Sequence, residues 1–269
     1  MGQVVYACIT PHGGEIIPEL AAGHIERMAR TRASMETLGE RMKASRPDAI
    51  VVITPHGIRI DGQFSIIDSE TVEGSETENS RTYTMIRQVD RTLAKAVRLE
   101  AEAAGLPCGL LNFGTSEGPL SKLPLDWGAV VPLAFMPDIP VVIITPSRAL
   151  TNDQMVAFGR ALRRAIDQSD QRVGVIASCD WCHTHDASGP YGYHPSAKAV
   201  DERIVNLIKE GQLEGMAAFT EREIEDAKPD GIWQTLILAG VVPKAERAVE
   251  FLSYEAPTYF GLICAEITK

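Results

Sequence analysis

Cysteine is scarce in this chain. The five thiols, Cys8, Cys108, Cys179, Cys182 and Cys264, form an odd and scattered set, which argues against a disulfide framework. Long apolar runs are missing too, since nothing approaches the roughly 20 residues that a membrane-spanning helix needs. The amino terminus has no basic segment leading into an apolar signal core, so a cytoplasmic protein is expected. A surplus of cations is also absent. The formal net charge of −10 speaks against a broad nucleic-acid or anionic-membrane surface, either of which calls for clustered Lys and Arg. Only a local basic patch beside a small acidic substrate stays open. No Pro/Ser/Gly-rich linker or shift of composition divides the 269 residues, so one domain is expected over 1–269, long enough to bury a sizeable core.

What is present is a pentapeptide that occurs twice. Ile9-Thr10-Pro11-His12-Gly13 and Ile53-Thr54-Pro55-His56-Gly57 each follow an apolar, β-rich run. Proline has no N–H to give to a strand ladder, and glycine permits a turn that other residues resist. Each histidine is therefore expected where a buried strand ends. Val4 to Ile9 and Ala49 to Ile53 read as those strands. Between them, Ile17 to about Lys43 reads as a helix with Leu20, Ile25, Met28, Met35, Leu38 and Met42 on one face. Strand, helix and strand make a βαβ unit, with both Pro-His-Gly loops at one carboxyl edge of a parallel sheet, where such sheets bind ligands.

Further strands are expected at Gln63 to Ile67, Pro140 to Thr145, Val173 to Ser178, Ala248 to Leu252 and, near an edge, Tyr259 to Glu266. Helices are expected at Val89 to Ala104, from the Thr151-Asn152-Asp153 caps to about Ile166, at Ser196 to Lys209 and at Ile232 to Ala239, with shorter ones at Leu213 to Phe219 and Thr220 to Asp226. Asp68 to Ser80 is acidic and without a period, and reads as a loop or lid near the site. The fold class is α/β, a mixed and largely parallel sheet with helices on both faces.

Two imidazoles at one sheet edge suit a metal. With one carboxylate they make the facial triad of non-haem Fe(II) sites, and with a third histidine or a cysteine they point to zinc. The segment Cys179-Asp180-Trp181-Cys182-His183-Thr184-His185 also follows a strand. It spells a c-type haem attachment site, which would need export, a redox pair, or half of a zinc site with no second Cys/His cluster. The remaining reading gives the roles to Asp180 and His183. An imidazole with an unperturbed pKa of roughly 6.5 suits acid–base work near neutral pH.

The order of strand-Pro-His-Gly, strand-Thr-Pro-His-Gly, Ser178-Cys179-Asp180-Trp181-Cys182-His183, Gly189-Pro190-Tyr191-Gly192 and Pro229-Asp230-Gly231 resembles the class III extradiol ring-cleavage dioxygenases, whose catalytic subunits open protocatechuate-like diols. The resemblance spans nearly the whole chain. It implies that His12 and His56 bind Fe(II), with zinc or manganese as alternatives, and that His183 is the catalytic acid and base. It puts Asp230 in place of the family's third ligand, a glutamate one methylene longer, with Glu225 and Asp226 as the fallback carboxylates. A small aromatic diol and O2 would be the substrates and a ring-opened semialdehyde the product. Association as a homo-oligomer, with or without a small partner subunit, is also implied.

Two departures accompany the resemblance. Asp126-Trp127-Gly128 carries tryptophan where many members carry histidine, so that His185 or His194 would have to stand in, and Trp127 would either stack on an aromatic ring or pack in the core. A substrate carboxylate would need a cation, with Arg59, Arg81 and Lys122 as candidates. Two other classes share the pattern: zinc hydrolases, which use the same donors, and the Memo-like interaction or copper-binding proteins, which have Cys-Gly at the late position. Asp230-Gly231 favours the enzyme.

Overall fold

Runs of Val, Ile and Ala without polar interruption need an apolar layer on each side, and the main sheet is built from them. The computed structural model describes residues 1–268. Its strands are β1 (Gln3–Thr10), β2 (Ala49–Ile53), β3 (Phe64–Ile67), β4 (Thr71–Glu78), β5 (Arg81–Gln88), β6 (Cys108–Leu111), β7 (Lys122–Pro124), β8 (Val141–Pro146), β9 (Arg172–Ser178), β10 (Ala248–Glu255) and β11 (Leu262–Thr268). The α-helices are α1 (Pro18–Ala21), α2 (Ala29–Ala44), α3 (Arg91–Ala103), α4 (Trp127–Leu133), α5 (Asn152–Gln168), α6 (Ser196–Lys209), α7 (Glu221–Ala227) and α8 (Ile232–Val241).

Eight strands form one sheet in the order β10-β11-β1-β9-β2-β8-β3-β6. The centre β1-β9-β2-β8 is parallel, while β11 and β3 join it antiparallel on either side. β2 shows why helices cover both faces. Ala49, Val51 and Ile53 pack with α3, α5, α6 and α8, whereas Ile50 and Val52 pack with α2 and α4. Period-two alternation makes both sets apolar, so neither face can meet water.

β1 and β2 are parallel, as expected, with β9 between them. Two expectations change. The single helix over Ile17 to Lys43 is broken into α1, a 3₁₀ turn at Ala22–His24 and α2. The break falls at Ala22, whose φ of 47° is not helical, and buried Arg32 holds the segment by donating to the carbonyls of Ile16, Glu15 and Ile25 at 2.9, 2.8 and 2.7 Å. The acidic stretch expected as a loop is instead β4, paired antiparallel with β5 and parallel with β7. Asn79 and Ser80 turn that hairpin with φ of 50° and 61°, the left-handed pair that suits a two-residue hairpin loop. β11 lies near an edge, as expected, one strand in from the edge strand β10.

Helices α5 and α8 approach so closely that a Cβ on Gly159 would lie 1.9 Å from the Ile237 carbonyl oxygen. Only a backbone shift relieves such a contact, and overpacking of this kind costs about 3 kcal/mol. Gly159→Val should therefore lower the unfolding free energy by about that amount, read as a fall in the urea midpoint at unchanged slope.

Candidate metal centre

Register brings the site together. Ile9 pairs with Ala177, and Ala177 with Ile53, so three parallel strands end at one level. The two Pro-His-Gly turns leave there with Ser178-Cys179-Asp180 between them. His12 Nε2 and His56 Nε2 come within 3.1 Å. Asp230 Oδ2 lies 3.1 Å from His56 Nε2 and 3.7 Å from His12 Nε2. Asp230 reaches this point from the turn before α8, where its N–H donates to the Asp180 carbonyl at 3.2 Å. A Cβ on the next residue, Gly231, would meet Cys179 Cβ at 2.6 Å. Glycine there lets the backbone come in, the approach that a carboxylate shorter than glutamate requires.

His12 is held from two sides. Its backbone N–H donates to Asp180 Oδ1 at 2.9 Å, and its Nδ1 lies 2.9 Å from Ser178 Oγ. Ser178 has one hydroxyl proton and gives it to the Gly128 carbonyl, so it accepts from His12 Nδ1–H. The lone pair of His12 is thereby assigned to Nε2, facing His56 and Asp230. His56 is covered by Trp127, stacked at 4.2 Å and 22°. Trp127 is 45% exposed, so it is neither a core residue nor free of the site. Beneath it, Thr54 donates to half-buried Asp126, whose carboxyl is pushed up by desolvation against the opposing pull of that hydrogen bond and of His56.

Arg148 donates to Asp230 Oδ1 and lies 4.4 Å above the Trp233 ring. Asp230 Oδ2, by contrast, is buried without a hydrogen-bond partner. Burial opposes the charge of Asp230, but His12, His56 and Arg148 outweigh it and hold the carboxyl well below the usual carboxylate range. Burial likewise opposes charge on His12, yet Asp180 and Asp230 raise its pKa above 6.5.

His183 sits across the cleft. Its Nδ1 is 2.9 Å from the Lys228 carbonyl, which Lys228 presents from a left-handed conformation, φ 52° and ψ 53°, at the end of α7. A carbonyl only accepts, so Nδ1 is the donor, and in the neutral ring the lone pair lies on Nε2. The ring packs on Phe260 at 5.6 Å and edge-on to Tyr191 at 5.8 Å. His12, His56, Trp127 and His183 share a cleft of about 670 Å³, continued by about 290 Å³ lined by His56, His183, Arg148 and Asp230.

The sequence profile described as the catalytic LigB subunit of aromatic ring-opening dioxygenase matches residues 6–262. This chain belongs to that family. Two relatives are similar to the LigB-family chain. One, Protein CA_C1420 of Clostridium acetobutylicum, is 24% identical over 252 residues, covering 92% of this chain and 54% of that protein. The chain thus spans about half the length of this curated relative. The other, the crystal structure of the uncharacterized protein JW3007 from Escherichia coli K12, matches with a TM-score of 0.61 at 15% identity, over 97% of this chain and 99% of that one, a likeness of fold. Dioxygenases of the LigB family depend on a metal, and among the described residues His12, His56 and Asp230 are the one His/Cys/Asp/Glu group close enough to hold an ion, with ligand atoms all within 4.8 Å.

Other residues singled out from the LigB-family sequence lie outside the trio, Glu225 in the wall of the smaller part of the cleft. Glu225 pairs with Lys228 at 2.9 Å and Asp226 with Arg222 at 3.5 Å. His185 is bound to buried Asp201 at 2.7 Å and His194 to Ser196 at 2.7 Å, so both are loop anchors rather than substitutes for the missing histidine. Cys179 and Cys182 are buried thiols, Cys179 beside Thr235 and Cys182 beside Asp201. Lys122 is paired with Glu73 and Arg81 bonds the Glu19 carbonyl. Neither they nor exposed Arg59 line the cleft. Arg148 went unread because nothing in its local sequence marks it, and Ser178 stood in the strand-end motif without a role.

Two outcomes are expected. Ser178→Ala should weaken metal binding about 10- to 100-fold with the circular dichroism spectrum unchanged. In chelator-treated protein, pairing of His12 contributes stability that is full below the ordinary imidazole value and is lost as pH rises through the raised one. The contribution of Asp230 is present above the ordinary carboxyl value and is lost as pH falls through the lowered one. Metal affinity should rise across the His12 window, since an ion displaces its proton, and calorimetry at about pH 6 and about pH 8 reads that sign.

Proposed function

We propose that the chain, as one catalytic domain over 1–269, is a non-haem Fe(II) extradiol dioxygenase that opens catechol-type rings with O2. The observation that carries this reading is the convergence of His12 Nε2, His56 Nε2 and the unbonded, buried Asp230 Oδ2 around one point. Three lone-pair donors crowded there suit a divalent cation, and two imidazoles with one carboxylate are the set that iron(II) takes with positions left open. Iron bound there would supply the positions at which a diol and dioxygen meet.

The protein's own groups do the rest. His183 Nε2, which carries the lone pair in the neutral ring that donates from Nδ1 to the Lys228 carbonyl, is placed to accept a proton from a diol hydroxyl and to give one back to substrate oxygen as the ring opens. Tyr191 and Phe260 hold its ring. Trp127 lies on His56 and fixes the plane of that ring. Arg148 occupies one oxygen of Asp230 and leaves the other to the centre.

Anaerobic reconstitution with Fe(II), followed by oxygen uptake against a panel of catechols, tests the reading. His12→Ala and Asp230→Ala should lose the metal, while Glu225→Ala should keep it. His183→Gln should keep metal and diol binding and lose turnover about 10²- to 10⁴-fold. If no diol supports uptake, the dioxygenase reading falls, and ester hydrolysis by zinc-loaded protein would replace it.

A further inference from the structure

The larger part of the cleft has a charge that the metal trio does not need. Glu15, Glu76, Glu78, Asp180 and Asp186 line it, against Arg27 as the one Arg or Lys. Arg27 is spent on Glu15, at 3.1 and 3.2 Å from its two oxygens. Asp180 is taken by His12, and Asp186 accepts from the N–H and hydroxyl of Ser188. Glu76 and Glu78 are different. They sit two apart on β4, hence on one face, and among the described residues neither carboxylate has an ion-pair or hydrogen-bond partner. Both pack over the turn that follows His12-Gly13, since a Cβ on Gly14 would meet Glu78 Cγ at 2.6 Å and Glu76 Oε1 at 2.9 Å. Burial first, and then the neighbouring carboxylates, raise both above the ordinary glutamate range.

Two half-buried, unpaired carboxylates beside a cleft leave an uncompensated negative field, which low-dielectric walls strengthen. They do not form a second metal site with a third donor, because the one such group among the described residues is His12, His56 and Asp230. A ring carboxylate entering here would meet no free cation. An ammonium group would meet Glu76 and Glu78, in a cleft that Tyr259 and Phe260 also line.

We propose that this cleft selects aromatic diols that carry a protonated amine and rejects those that carry a carboxylate, with Glu76 and Glu78 as the specificity-determining residues. The proposal rests on the reading of the trio as a metal centre that binds the diol. The diol end would lie at His12, His56 and Asp230, and the amine would extend beneath the β4–β5 hairpin.

Calorimetry on the anaerobic Fe(II) protein tests it without turnover, using dopamine, 4-methylcatechol, 3-(3,4-dihydroxyphenyl)propionate and tyramine. Dopamine should bind about ten-fold tighter than 4-methylcatechol, and the propionate more weakly than either. The Glu76→Gln, Glu78→Gln double variant should bring dopamine down to the 4-methylcatechol level, leave 4-methylcatechol itself unchanged and keep its metal. High salt should narrow the same gap. Equal affinity for dopamine and 4-methylcatechol, or a preference that survives the double variant, overturns the proposal. Tyramine separates the two readings. If it binds as tightly as dopamine and still depends on Glu76 and Glu78, charge selection stands and the diol-binding reading falls. If none of the four binds, both fall.

Discussion

Three electron-rich atoms held together at the floor of a cleft are the constraint on which this molecule turns. His12 Nε2, His56 Nε2 and Asp230 Oδ2 lie within 3.1 to 3.7 Å of one another, and positive charge among them eases that crowding. A proton on His12 is one such charge, and its pKa is raised accordingly. A metal ion is the other. Much of the local architecture follows from keeping the three atoms in place: equal strand ends, Ser178 and Asp180 gripping His12, Trp127 lying on His56, and Arg148 restraining Asp230 from outside.

The parts legible in the sequence were those whose cause is local. Proline and glycine on either side of a histidine announce a strand end, and continuous Val/Ile runs announce buried strands, so His12, His56 and the parallel centre could be read directly. So could α5, because Thr151 and Gln154 form its capping box, and α6, whose apolar period is regular. Strand order is not local. Nothing between Arg172 and Ser178 says that β9 inserts between β1 and β2, and that insertion is what brings Ser178 and Asp180 to His12.

β4 escaped for a different reason. Val72 is its only fully buried residue, so the alternation that identifies a strand is missing, and its pairing with β5 and β7 supplies the backbone partners that keep it extended. The broken helix after His12 escaped because the Arg32 guanidinium that holds the segment acts through three carbonyls up to 17 positions away. Trp127 was weighed as a core residue or a stacking platform, and the ring it stacks on is His56 itself.

The insertion of β9 also sets when the centre can exist. His12 meets His56 across 44 positions but meets Asp180 across 168, and Asp230 arrives later still. Closing loops of that length is entropically slow, and contacts so far apart in sequence form late in folding. During synthesis the two histidines emerge early, and the strand that must separate them follows more than a hundred residues afterwards. A premature pairing of β1 directly with β2 would be a natural trap, since both edges are apolar and free at that stage. The centre is thus completed only when nearly the whole chain has folded, and its ability to hold an ion would be a report on the finished topology as well as a step towards chemistry.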